Sequence, residues 1–236
     1  MITLMRSATR RVAMAMPLLA TPPALATVLF SQFGGTASTI AFVNSQQSGG
    51  ALVSQVADDF SLAATDTVNR VRFWGGIWNG DTSTPVPSFK VPVYADNGGT
   101  PTGTPGDPSA TALHSFTVAA TSVEVGNNWG QPIYEYEADL GAGFTALFGV
   151  TDRLAIQANL PDPELWGWAQ QDSGWGQSGM IWNDYWIGFS TWTATSSLSA
   201  SLQGGQFELL GVGSGAVPAR FRCPERPVSL PSVSFD

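Results

Sequence analysis

"IYEYEADL", Ile133 to Leu140, alternates along its whole length. Tyr134, Tyr136, Ala138 and Leu140 fall on one side, and Glu135, Glu137 and Asp139 on the other. That period of two predicts a strand with one face buried and one face wet. The pattern recurs in both directions from this stretch. "RVRFW" sets Val71 and Phe73 against Arg70 and Arg72, and "SFKVPVYAD" sets Phe89, Val91 and Val93 against Lys90, Pro92 and Tyr94. Pro92 has no N–H to give to a ladder, so this second strand is expected at an edge or at a bulge. "HSFTVAATSVEV", "RLAIQANL", "DYWIGFSTW" and "GQFELLG" read as further strands, separated by clusters of Gly, Pro, Asn and Asp. About eight short strands and no amphipathic helix predict an all-β fold, an antiparallel β-sandwich of jelly-roll-like form.

Composition agrees. The chain has 236 residues, 43% hydrophobic and 12% charged, with 26 Gly and 16 Pro, which suits one β-rich domain with long loops. No tandem repeat is visible. Residues 1–26 carry Arg6, Arg10 and Arg11, then the apolar run "VAMAMPLLA", then "ALA", the order of a signal peptide cleaved after Ala26. Pro17, Pro22 and Pro23 interrupt the run, which is too short to span a bilayer. The expected division is a signal peptide over 1–26, an N-terminal segment with a first strand over 27–54, the sandwich over 55–211 and a tail over 212–236.

Without the first 26 residues, seven basic side chains face eighteen acidic ones, a net charge of −11. Nucleic acid is excluded as a partner, since phosphate binding needs clustered Lys and Arg. A neutral glycan or a cation such as Ca²⁺ fits this charge better. Cys223 is the single cysteine, so no intrachain disulfide forms, and zinc ribbons and iron–sulfur clusters are excluded. His114 is the single histidine, no G-x-S-x-G elbow accompanies it, and no phosphate-cradling glycine motif is present.

The order "VADDFSL", "VRFWGGIW", "FKVPVYADNGGTPTGTPG", "YEYEADL", a Trp-rich segment and "FELLG" resembles a group of secreted bacterial β-sandwich proteins that carry a PEP-CTERM or VPxPA-type sorting tail. The similarity covers about Gln55 to Gly211. It implies association with the envelope or extracellular matrix and implies no enzymatic activity. The departure is the tail: the group's short Pro motif, apolar helix and terminal Arg cluster are missing from residues 212–236, and the abrupt change of composition predicts a disordered or frame-shifted end. The expectation from this tail is a chain without a membrane anchor.

Three constellations could carry chemistry. "LWGWAQQDSGWGQSGMIW", Leu165 to Trp182, places Trp166, Trp168, Trp175 and Trp182 among Gln170, Gln171, Asp172 and Gln177, with Asn183 adjacent and Trp186 and Trp192 following. Indole faces flanked by amides make sugar platforms, and a segment of Gly and Gln offers few aliphatic partners to bury them. Trp166, Trp168 and Trp175 are therefore expected on display, and Trp74 and Trp186 in structural roles. The loop from Asp96 to Ala110 brings Asp96, Asn97 and Asp107 together with Asp58 and Asp59 of the first strand as oxygen ligands for a structural Ca²⁺, although Asp-Asn-Gly-Gly is first of all a turn sequence. Glu135 and Glu137 share a strand face and offer the paired carboxylates of a retaining glycosidase, yet plain alternation accounts for them equally. The leading expectation is a non-catalytic, secreted, surface or matrix β-sandwich with weak carbohydrate binding through the Trp segment. A glycan-active hydrolase using Glu135 and Glu137, or a purely structural envelope protein, are the alternatives.

Overall fold

The computed structural model describes residues 26–33, 42–48, 51–79, 86–103, 112–128, 130–160, 164–171, 179–183, 188–200 and 202–211. The expected signal peptide and tail lie outside these residues, apart from Ala26. Among the described residues sixteen strands form two eight-stranded sheets, about twice the number of strands expected.

In the first sheet β5 (Asp66–Asn79) is central. On one side it pairs with β9 (Gln131–Ala146), which pairs with β8 (Ala120–Asn128). On the other it pairs with β16 (Phe207–Gly211) and with β12 (Leu165–Gln171). β1 (Thr27–Gln32) then lies beside β16, while β2 (Phe42–Asn44) and β15 (Gly204–Gly205) lie beside β12. In the second sheet β6 (Ser88–Ala95) is flanked by β7 (His114–Val118) and by β10 (Thr151–Ala155) and β11 (Gln157–Asn159). These lead through β3 (Gln46–Ser48) and β4 (Ala51–Ser61) to β13 (Met180–Asn183) and β14 (Phe189–Ala194). The chain changes sheet at most connections, as a jelly-roll-like wrapping requires, and β3–β11 is a parallel pair.

The alternation places the core as expected. Val71, Phe73, Tyr136, Ala138 and Leu140 from the first sheet meet Phe89, Val91 and Val93 from the second, all buried. Phe73 stacks on Tyr136 at 5.2 Å, and Phe89 meets Phe73 edge-on at 4.9 Å from the opposite sheet. Aromatic pairs in these geometries add about 0.5–1.5 kcal/mol each beyond area burial.

β6 departs from expectation: it lies inside its sheet, with neighbours on both sides. Its pairing with β10 and β11 lapses across Val91 and Pro92, between Val93↔Leu154 and Lys90↔Gln157, which lets an interior strand hold a residue with no N–H. Tyr94 is also fully buried, so this strand is covered on both faces.

Candidate functional site

Of the tryptophans expected on display, Trp166 and Trp168 are enclosed. Trp166 and Trp168 are 0% exposed and Trp182 6%. Both Trp166 and Trp168 point from β12 into the space between the sheets. The partners that the Gly- and Gln-rich segment lacks come from elsewhere: Phe89 at 5.3 Å, Tyr136 at 6.1 Å and Phe73 at 6.2 Å surround Trp166, and Phe207 lies 5.8 Å from Trp168. Glycine seats each ring. A Cβ on Gly75 would lie 2.4 Å from Trp166 Cζ2, and one on Gly205 would lie 2.5 Å from Trp168 Cε2. Trp168 Nε1 donates to the Gln206 carbonyl at 3.0 Å, so burial leaves its polar atom satisfied. Gln170, Gln171 and Asn183 are buried with them. Asp172, Trp175, Gln177 and Trp186 lie outside the described residues. Trp74 is structural as expected, buried and stacked at 4.2 Å on Phe33.

Glu135 and Glu137 stand on the outer face of the first sheet, across β5 from two arginines. Arg72 lies 2.9 Å from Glu137, 2.9 Å from Glu208 and 3.3 Å from Glu135, the last too poorly aligned for a hydrogen bond. Arg70 adds a 3.3 Å contact to Glu137. Partial burial pulls the Arg72 pKa down, but the hydrogen bond to Glu137 and the charges of Glu208, Glu135 and Glu137 outweigh it and raise the value. One guanidinium thus contacts both acids. A glycosidase acid must hold a proton at the leaving oxygen, whereas both carboxylates here face the Arg72 guanidinium.

Asp96 is likewise engaged. Oδ1 accepts from Arg153 Nε at 2.6 Å, and Oδ2 accepts from Gly99 N–H at 3.0 Å. The cation beside this carboxylate is Arg153, fully buried, so a Ca²⁺ would have to displace a guanidinium. Asp107 lies outside the described residues, and among the described residues no group of three His, Cys, Asp or Glu side chains is placed to hold a metal ion. His114 is exposed at the start of β7, where its ring stacks on Phe144 at 5.3 Å.

The loop that Asp96 begins does form a concave surface with an aromatic wall. Asp96 pairs with Pro101, Asn97 N–H donates to Thr100 O at 2.7 Å, and Thr102 N–H donates to Ala95 O at 2.9 Å. Gly98 and Gly99, with φ of 61° and 97°, take left-handed turns that other residues resist. Against this braced turn stands Trp192 of β14. Ala57 and Ala155 leave room over the second sheet for Tyr94 to lie across them and donate to Gln55 Oε1 at 2.9 Å. Trp192 packs edge-on to Tyr94 at 6.2 Å. Between loop and strand opens a shallow cleft of about 380 Å³, lined by Asn97, Thr100, Pro101, Thr102, Gly103, Thr191 and Trp192. In the sequence Asn97 is marked for a metal and Trp192 stands only as a tryptophan following the Trp-rich segment, while Thr191 is not singled out. The signal that could have found them is a Trp set between threonines in a strand, "STWTA".

Fold and cleft together define the class: a two-sheet all-β sandwich with a small, uncharged surface cleft on one sheet. Residues 39–207 match the family described as Domain of unknown function (DUF7901), and the chain belongs to that family. Comparison with curated proteins and with solved structures gives no match in either case.

Proposed function

We propose that this chain is a non-catalytic, exported β-sandwich that serves at the cell surface or in the extracellular matrix. The observation that carries the non-catalytic part is Arg72 seated between Glu135 and Glu137. The strand with the best acid–base credentials in the sequence is neutralised by its neighbour, and ion pairing of this kind supports a sheet surface better than a reacting centre. Export is supported by the basic, apolar and A-x-A order of residues 1–26. Its low charge and extensive sheet suit a durable scaffold.

Cell fractionation of the full chain with N-terminal sequencing tests export: a surface or medium fraction beginning at Thr27 is expected, and a cytoplasmic product with an intact leader would refute it. Reducing-sugar release from polysaccharides by the purified protein, lost in Glu137→Gln, would replace the non-catalytic reading with the hydrolase.

A further inference from the structure

We infer that the cleft between the Asn97–Gly103 turn and Trp192 is a binding site for a neutral saccharide. It deepens the proposed function by naming a ligand for such a scaffold, and it rests on that reading only for the place where the ligand is met.

Three observations select this chemistry. First, none of the seven lining residues carries a charge, in a chain whose net charge is −8. A cationic or anionic ligand would find no counter-charge among these seven residues, which favours an uncharged ligand. Second, the lining combines an indole with short polar side chains. The Asn97 amide and the Thr191 hydroxyl make no hydrogen bond to another described residue, whereas Thr100 and Thr102 hydroxyls donate to the carbonyls of Asn97 and Ala95 within the loop. A sugar presents C–H groups to an aromatic face and hydroxyls to amide and hydroxyl partners, which is this pattern of groups. Third, the walls are preformed. Arg153 holds Asp96, Asp96 holds Gly99, and Tyr94 is fixed behind Trp192 by Gln55. Little ordering is then needed on binding, which favours even a ligand with few contacts. The volume of about 380 Å³ stands at the low end for ligand sites and fits a short stretch of a chain more readily than a large branched ligand.

Arg153 and Asp96 are positioning residues here, because they set the turn and do not line the cleft.

The test is NMR titration of the purified chain with maltohexaose, cellohexaose and mannohexaose, up to about 10 mM because a shallow site binds weakly. Polygalacturonate oligomers and a proline-rich decapeptide serve as the charged and peptide comparisons. At least one neutral sugar should shift the Trp192 indole and Asn97 amide signals in a saturable way. Trp192→Ala should weaken that binding at least tenfold, and Asn97→Ala and Thr191→Val several-fold each. Asn97 is exposed, so its variant keeps the test valid should Trp192→Ala fail to fold. Absence of saturable binding by all three neutral sugars, a preference for the acidic oligomer or the peptide, or wild-type affinity in a folded Asn97→Ala, Thr191→Val double variant would each overturn the site. None of these outcomes depends on where the cell places the protein, so export can fail without touching the site, and the site can fail without touching export.

Discussion

The Asp58 carboxylate on β4 accepts a 2.6 Å hydrogen bond from the Gly205 N–H on β15, so a buried acid links one sheet to the other. Gln32 of β1 donates to the same oxygen at 2.5 Å, and Asp59 N–H donates to the second oxygen at 2.9 Å. Among the described residues no basic side chain is paired with it. Burial and the neighbouring Asp59 charge push the Asp58 pKa well above the ordinary carboxylate range, while the three donors pull it down without restoring it.

The consequence is a pH dependence of definite sign. Folded Asp58 keeps its proton to higher pH than the unfolded chain does, so the folded state binds more protons and stability falls as pH rises. The loss begins near the unfolded value of about 4 and continues until the raised folded pKa is passed. Urea unfolding of wild type and Asp58→Asn across this range should give curves that diverge, with the wild type losing up to about 1.4 kcal/mol per pH unit relative to the variant. Parallel curves would show that Asp58 does not carry the effect.

Gly204 and Gly205 form the notch that admits this acid. A Cβ on Gly204 would lie 2.5 Å from Asp58 Oδ2, and one on Gly205 would lie 2.5 Å from Trp168 Cε2. Neither neighbour has space to retreat, both being fully buried. Gly204→Ala and Gly205→Ala should each destabilise by about 1–3 kcal/mol through overpacking, measured as a lower urea midpoint with little change in slope. Unchanged midpoints would mean that the two sheets can part locally at low cost.

Trp166 should behave as a core residue. Trp166→Ala removes a fully buried indole that aromatic rings from three other strands surround, and a cost of about 3–5 kcal/mol is expected. The diagnostic is that any loss of saccharide binding tracks loss of folding. A variant that stays fully folded in thermal denaturation would contradict the packing described above.

The strands were legible because alternation is a local signal: "RVRFW" and "IYEYEADL" each carry their own inside and outside, and Phe73 and Tyr136 stack where the pattern directs them. Trp166 and Trp168 were misread because their packing partners are remote. Phe73, Phe89, Tyr136 and Phe207 come from four other strands, and the glycines that seat the rings, Gly75 and Gly205, also lie outside the Trp-rich segment. Pro92 points to an edge or a bulge because a missing N–H is a local fact, whereas the lapse in pairing that accommodates it belongs to β10 and β11. The cleft was hidden for the same reason: Asn97 and Trp192 stand far apart in the chain, and only the narrow side chains of Ala57 and Ala155 let Tyr94 lie where it can back the indole.

Arg72 offers the last test, since it holds three carboxylates on a partly wet surface. Its side chain is 28% exposed, and those of Glu135, Glu137 and Glu208 are 36%, 31% and 15% exposed. Each pair alone is worth little in water, about 0.2–1 kcal/mol. Removing the shared guanidinium also leaves three acids close together on one sheet face, so Arg72→Met should cost more than one pair, about 1–2 kcal/mol. Like-charge repulsion between exposed groups is screened by salt, and the Debye length shortens from about 10 Å at 0.1 M to about 3 Å at 1 M. The deficit of Arg72→Met relative to wild type should therefore shrink when urea unfolding is repeated at high sodium chloride. A deficit that is insensitive to salt would mean that Arg72 stabilises through its packed aliphatic stem. The charge network would then be a by-product of cross-strand register.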